Sequence, residues 1–200
     1  PLQSTEIIGE SPAMQEVFRA IGRLSQSHIT VLINGESGTG KEVVSEMFAK
    51  ALGNRVPFLK VNCGAITPTL LESELFGHVK GAFTGAIADK RGLFESASGG
   101  WLFLDEVATL SAPAQVALLR ALENQEIMRV GSTKPIQIQT RIITATNESL
   151  ENLVAQGKFR ADLWQRLREA EIMLPPLRDR TDEIKPLIDH FCTTMTGGPY

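Results

Sequence analysis

The stretch Gly35-Glu36-Ser37-Gly38-Thr39-Gly40-Lys41 constrains this chain more than any other. It follows an apolar run, Thr30-Val31-Leu32-Ile33-Asn34, and opens a helical pattern over 41–52, the strand–turn–helix context of the G-x-x-x-x-G-K phosphate-binding loop. Glycines let the backbone wrap the β- and γ-phosphates of a nucleotide. The helix N-terminus aims amides and partial positive charge at them, and Lys41 adds a point charge. The bland alternative is a glycine-rich turn with an incidental lysine; spacing, strand and helix together argue against it. One departure stands at the next position, where Glu42 replaces the Ser or Thr that ligates Mg2+ in the general motif.

Four more runs share the strand signature: Phe58-Leu59-Lys60-Val61-Asn62, Trp101-Leu102-Phe103-Leu104-Asp105, Arg141-Ile142-Ile143-Thr144-Ala145 and Ala170-Glu171-Ile172-Met173-Leu174. Several are continuously apolar rather than alternating, as strands covered on both faces of a parallel sheet are. Helical patterns fall between the strands, near 13–25, 41–52, 67–76, 111–123 and 149–156. Ser111 followed by Ala112-Pro113 reads as an N-cap with proline in the first turn. The alternation predicts a three-layer α/β fold around a mostly parallel five-stranded sheet over residues 1–174. Residues 77–92, rich in Gly and Ala, and the polar residues 124–137 break the rhythm and are expected to be loops, either functional or disordered. Pro175 to Arg180 reads as a linker, and a helix is expected from Thr181 to about Cys192.

Composition narrows the partners. Of 200 residues, 42% are hydrophobic and 22% charged, with 20 Lys and Arg against 23 Asp and Glu and a net charge of −3. A chain of this length buries about 70% of its unfolded surface without a disulfide or structural metal. The acidic balance argues against a stand-alone nucleic-acid binder, which carries a basic face, while contact through a partner protein stays open. Cys63 and Cys192 share no metal-binding spacing, and a reducing cytosol is the simplest context. There is no apolar run of membrane-spanning length and no secretory signal pattern. Because the chain starts at Pro1 rather than Met and stops at Gly197-Gly198-Pro199-Tyr200, it is expected to be a piece of a longer polypeptide.

The acidic pair Asp105-Glu106 closes a buried strand, the arrangement that completes a P-loop ATPase. Asp105 is placed to hold Mg2+ through water and Glu106 to polarise the attacking water. A strand-end pair capping the next helix is the alternative. Thr146-Asn147 ends the fourth run and could sense a γ-phosphate or orient water; Asn62 ends the second in the same way. Each is equally readable as an ordinary strand-ending turn residue. Phe159-Arg160 and Arg166 lie on a short polar segment, readable as solvated charges or as arginines reaching a neighbouring subunit's γ-phosphate. Phe83, between Gly81 and Gly85 in a stretch without helical or strand periodicity, is either tucked into the domain's own core or exposed for a partner. His78, His28 and His190 have no ligand-spaced companions, and His78 reads as structural.

Gly81-Ala82-Phe83-Thr84-Gly85-Ala86 resembles the signature hexapeptide of the bacterial enhancer-binding proteins, the sigma-54-dependent transcriptional activators of the NtrC type within the AAA+ ATPases. The resemblance runs along nearly the whole chain. Ile7-Ile8-Gly9-Glu10-Ser11 is similar to the family's start beside the adenine pocket, and Gly35 to Glu42 to its phosphate loop, Glu42 included. Glu72 to His78, Leu102 to Glu106, Ala145 to Asn147, Phe159-Arg160, Arg166-Leu167 and Leu174 to Arg178 follow in order. Trp101, Val107-Ala108-Thr109, Trp164-Gln165 and Arg168-Glu169 depart from the family pattern.

The resemblance implies a ring, usually a hexamer, with ATP and Mg2+ at each subunit interface. It assigns phosphate binding to Lys41 and the loop, Mg2+ to Asp105 and water activation to Glu106. Asn62 would hold Glu106 in a switchable interaction, and Thr146 and Asn147 would sense the γ-phosphate. Arg160 and Arg166 would complete the neighbour's site. The γ-phosphate state would raise or lower the 77–90 loop, whose Phe83-Thr84 tip contacts sigma-54, with 124–137 as a second pore-facing loop. The work implied is remodelling of the closed RNA polymerase holoenzyme complex, so that promoter DNA is touched only indirectly and enhancer DNA through a domain not encoded in these residues. A cytoplasmic location and no membrane partner go with this, and residues 175–200 would begin a helical lid. Two other classes compete: a nucleotide-gated assembly scaffold with little hydrolysis, and another AAA+ remodeller such as a clamp loader or unfoldase.

Overall fold

The structure is a computed structural model and describes residues 30–35, 40–41, 44–45, 49 and 56–174. The helical patterns at 13–25 and most of 41–52, the linker at 175–180 and the helix from Thr181 lie outside the described residues.

All five expected strands form: β1 (Val31–Asn34), β2 (Phe58–Asn62), β3 (Trp101–Asp105), β6 (Arg141–Thr146) and β7 (Ala170–Met173). They make one sheet in the order β2-β3-β6-β1-β7, and every pairing in it is parallel. The central strands are apolar throughout because both faces are covered. Side chains alternate between faces along a strand. Leu32, Leu102, Leu104 and Ile142 therefore join Leu75, Leu118 and Leu163 in one core. Val31, Ile33, Trp101, Phe103 and Ile143 join Val44 in the other. The edge strand β2 departs from that pattern and leaves Lys60 exposed.

Beyond the partly described helix that begins at Lys41, five helices are seen among the described residues: α1 (Pro68–Phe76), α2 (Leu93–Ser96), α3 (Ala112–Asn124), α4 (Leu150–Ala155) and α5 (Ala161–Leu167). Ser111 caps α3 as its sequence predicts, its hydroxyl accepting from the Ala114 amide at 3.3 Å, with Pro113 in the first turn. Ala114, Leu118, Ala121 and Leu122 form its buried stripe at helical spacing. The expected loop at 124–137 is more ordered than its polarity suggests. It folds into an antiparallel hairpin, β4 (Glu126–Met128) with β5 (Pro135–Gln137), anchored by the fully buried Ile127.

The register fixes where chemistry sits. Asn62 pairs with Asp105, and Asn34 with Thr146, so the polar strand ends share the C-terminal edge of the sheet. That edge is where open α/β sheets bind ligands.

Candidate active site and finger loop

Lys41 leaves the loop that follows β1, and its Nζ donates to the Gly35 carbonyl at 2.8 Å. Gly35 in turn donates its amide to the Thr146 carbonyl at 3.2 Å, tying the loop's first residue to the end of β6. Burial pulls the Lys41 ammonium below its ordinary pKa, while the fields of Asp105 and, less strongly, Glu106 push it back up. Lys41 and the acidic pair thus sense each other across the sheet edge. Of the remaining loop residues, Gly40 is described, and Val44 donates to its carbonyl at 3.1 Å as a helix begins. Glu36, Ser37, Gly38, Thr39, Glu42, Ile7 and Ile8 lie outside the described residues.

Asp105 accepts the Glu106 amide at 2.8 Å. Glu106 itself adopts the left-handed conformation, φ 53° and ψ 48°, and starts the 3-10 turn Val107–Thr109. A non-glycine residue held there carries backbone strain, the kind retained at functional turns. Thr109 secures the turn by donating its hydroxyl to the Glu106 carbonyl at 2.8 Å. The Glu106 carboxylate lies over Gly64, in the 3-10 turn Cys63–Ala65 after β2. Asn62 accepts the Gly64 amide at 2.9 Å through Oδ1. Among the described residues no hydrogen bond joins the side chains of Asn62 and Glu106; they meet at Gly64 instead. Below them Cys63 is buried, and burial followed by the fields of Asp105 and Glu106 pushes its thiol up to about 12.

Thr146 is buried, and its hydroxyl closes a local turn, donating to the Glu148 carbonyl at 2.9 Å and accepting the Glu148 amide at 3.1 Å. Asn147 is exposed beside it. Both line a cleft of about 490 Å³ with Gly35, Glu148, Trp164 and Arg168. Arg168 lies over the Trp164 ring, 4.0 Å from its centroid, so two of the positions that break the family pattern pack together here.

The two arginines point elsewhere. Arg160, exposed at the start of α5, grips Asp162 with Nε at 3.0 Å and Nη2 at 2.8 Å. Its hydrogen bond to Asp162 raises the arginine's pKa and lowers the aspartate's. Arg166 pairs with Glu169 and donates to the Leu122 carbonyl at 3.3 Å. Among the described residues neither arginine bonds to Asp105 or Glu106.

The 77–90 segment is a compact finger. His78 bridges both Lys90 and Val130, and Val79 donates to the Val130 carbonyl at 3.1 Å while Val130 donates to that of Gly77 at 2.9 Å. The finger base and the residues just after β4 therefore share backbone hydrogen bonds. At the tip, Gly81 (φ 83°) and Gly85 (φ 99°) bracket a turn in which the Gly81 amide donates to the Ala86 carbonyl at 2.8 Å. Phe83 is half-buried against His78, and Thr84 is exposed. His78 in turn shares a 2.6 Å hydrogen bond with Ser73 of α1, which bears out its structural reading. Arg129 fixes the other side by a double contact with Glu95, both distances 3.0 Å.

Sequence reasoning passed over Gly64 and Cys63, which follow Asn62 directly; that adjacency was the available signal. Among the described residues, no group of three or more His, Cys, Asp or Glu is placed to hold a metal unaided. A single carboxylate, Asp105, with phosphate oxygens from a nucleotide is the donor set that Mg2+ accepts. Also among the described residues, no helix is long and apolar enough to cross a membrane.

A parallel sheet with a glycine loop and lysine after β1 and an acidic pair after β3 defines a P-loop NTPase domain. The chain belongs to the sigma-54 interaction domain family, whose model matches residues 7–173. It is 52% identical over 189 residues to the DNA-binding transcriptional regulator NtrC of Escherichia coli, covering 94% of this chain and 40% of that protein. It is 50% identical over 186 residues to the Nif-specific regulatory protein of Herbaspirillum seropedicae, covering 92% of this chain and 34% of that one. The chain thus spans well under half the length of these relatives. Among solved structures, NtrX from Brucella abortus in complex with ATP matches with a TM-score of 0.83 at 37% identity, over 95% of this chain and 41% of that one.

Proposed function

We propose that this domain hydrolyses ATP to ADP and phosphate and uses the cycle to move the Phe83-Thr84 finger against sigma-54, remodelling the closed RNA polymerase holoenzyme complex at a promoter. One observation carries the reading: Lys41 and the Asp105-Glu106 pair share the sheet's C-terminal edge in the same unit as a glycine-hinged, aromatic-tipped finger. Membership of the sigma-54 interaction family supports it, as does the likeness to NtrX, whose structure was solved with ATP.

In this reading Lys41 and the loop amides bind and orient the phosphates. Asp105 would hold Mg2+, which when bound neutralises phosphate charge. Glu106 accepts a proton from water as the water oxygen bonds to the γ-phosphorus and the bond to the bridging oxygen breaks, leaving ADP. Asn62 sets the disposition of Glu106, and Thr146 and Asn147 report the γ-phosphate. Arg160 and Arg166, bonded away from their own acidic pair, complete the site of a neighbouring copy in a ring, usually a hexamer. Residues 1–174 act as the ATPase unit, and residues 175–200 begin a lid. The setting is the cytoplasm, and enhancer DNA is reached only through a separate domain.

The test combines two measurements. Turnover should rise with protein concentration and vanish in Glu106→Gln. Replacing Thr84 should remove sigma-54 engagement, followed by sedimentation with an ATP transition-state analogue, while hydrolysis persists. Turnover independent of Glu106, or sigma-54 binding indifferent to Thr84, would overturn this division of labour.

A further inference from the structure

Arg166 lies in the last turn of α5, and Glu169 stands three residues on, where the chain turns to enter β7 at Ala170. The Glu169 carboxylate joins two elements. One oxygen pairs with the Arg166 guanidinium, and the other accepts the Thr30 amide at 3.3 Å, just ahead of β1. Arg166 in turn meets two acceptors with its terminal nitrogens: Nη1 faces Glu169, and Nη2 donates to the Leu122 carbonyl at 3.3 Å. Leu122 lies in the final turn of α3, where backbone carbonyls lack helical partners and favour a cation. Glu169 is one of the positions that break the family pattern, so this clamp is not part of what the family signature encodes.

The clamp sits where strands begin. Thr30 precedes β1 and Glu169 precedes β7, whereas Gly35 and Lys41 follow β1, so a strand length of about 13 Å separates Arg166's anchors from the phosphate edge of its own subunit. Neither jaw can follow the arginine if it moves. Thr30 is buried, and its carbonyl accepts the Ala170 amide at 3.1 Å, which fixes it to the start of β7. Leu122 is buried in α3. The guanidinium is 40% exposed and the carboxylate 29%, open enough for a second anion to approach. Bidentate pairing with a phosphate needs a fork of guanidinium nitrogens. Here both terminal nitrogens are already engaged by the chain itself.

We propose that Glu169 is a latch on Arg166, a positioning residue whose carboxylate holds the guanidinium in a free subunit in place of the γ-phosphate bound by a neighbouring copy. This rests on Arg166 completing a neighbour's site. Assembly then exchanges one anion for another on the same cation. A γ-phosphate carries more negative charge than a carboxylate and offers three acceptor oxygens, so the exchange favours the ring when ATP is bound. ADP has no group at that position, and Arg166 stays with Glu169. The latch therefore raises the subunit concentration at which an ATP-loaded ring forms, and leaves assembly with ADP untouched.

The experiment is sedimentation velocity of the full chain and its Glu169→Gln variant over a range of protein concentrations, with a non-hydrolysable ATP analogue and separately with ADP. With the analogue, the variant should reach half assembly at a concentration about two- to fivefold lower, the range expected for losing a partly exposed ion pair. With ADP the two proteins should behave alike. In an Arg166→Ala background, Glu169→Gln should shift nothing. Glu169→Ala, which removes both contacts of the carboxylate, should shift assembly in the same direction as Glu169→Gln. An unshifted or higher half-assembly concentration overturns the latch, and so does an equal shift with ADP, which would mark plain charge removal at an interface. Loss of the fold in both Glu169 variants overturns it too, because the pair would then serve the fold. If Arg166→Ala alone weakens assembly with the analogue while Glu169→Gln has no effect, the latch fails and the reading of Arg166 stands. If Arg166→Ala assembles and turns over ATP like the parent, or the parent does not assemble with the analogue, that reading fails along with the latch.

Discussion

The ring of Phe83 stands edge-on to the imidazole of His78, with centroids 4.9 Å apart and planes at 73°. The tip of the finger is therefore held by its own base. A Ser73 hydroxyl on α1 fixes the imidazole from behind, so the contact links the finger to the core rather than to another mobile side chain.

Removing the imidazole should loosen the tip without unfolding the domain. An edge-to-face pair contributes about 0.5–1.5 kcal/mol beyond burial. His78→Ala should then speed hydrogen exchange at the Ala82 and Ala86 amides by about 2- to 13-fold. Exchange in β3 should not change. Equal acceleration in both places would mean that His78 supports the whole fold instead.

Filling Gly131 should push on the same finger from below. It has φ +83°, and a Cβ there would lie 2.7 Å from the Cβ of Ala82. Gly131→Ala should cost about 1–2 kcal/mol for the left-handed backbone alone, plus the clash. Adding Ala82→Gly should recover only the clash. Urea unfolding of the single and double variants separates the two contributions, and complete recovery would show that the backbone carries no strain.

Cys63 gives the domain an alkaline limit. Its thiol is pushed from 9.0 up to about 12 in the folded state. The unfolded chain therefore loses this proton first. The contribution is fully present below pH 9.0 and is lost as pH rises from there toward about 12. At about pH 10.5 the parent should have lost about 2 kcal/mol that Cys63→Ala does not lose. Denaturant unfolding at neutral and alkaline pH measures this as a difference of slopes; parallel slopes would contradict it.

Arg160 is exposed, and among the described residues its guanidinium pairs with Asp162 two residues away. Arg160→Ala should melt like the parent yet fail to turn over ATP. Mixing it with Lys41→Ala should restore part of the activity, because each variant supplies what its neighbour lacks. Failure of complementation in mixed assemblies would place Arg160 outside the shared site.

The strands were legible because a doubly covered parallel strand needs no alternation, and runs such as Trp101-Leu102-Phe103-Leu104 have few other uses. The P-loop and acidic pair were legible for a related reason: each is written contiguously at a strand end. The β4–β5 hairpin was not, since its strands are three residues each and, of the six, only Ile127 is buried. Gly64 was invisible for a different reason. Its meaning depends on where a side chain from another strand comes to rest, and that follows from the left-handed turn at Glu106, which local composition does not announce. The isolated His78 became informative only when folding set Ser73 on one side of it and Phe83 on the other.

The bonds between Val79, Val130 and Gly77 run main chain to main chain. Only a proline at Val79 or Val130 would delete one of them, so the link between finger and hairpin survives most side-chain replacements. Side chains mounted on that linkage can therefore change while the backbone joint beneath them stays the same.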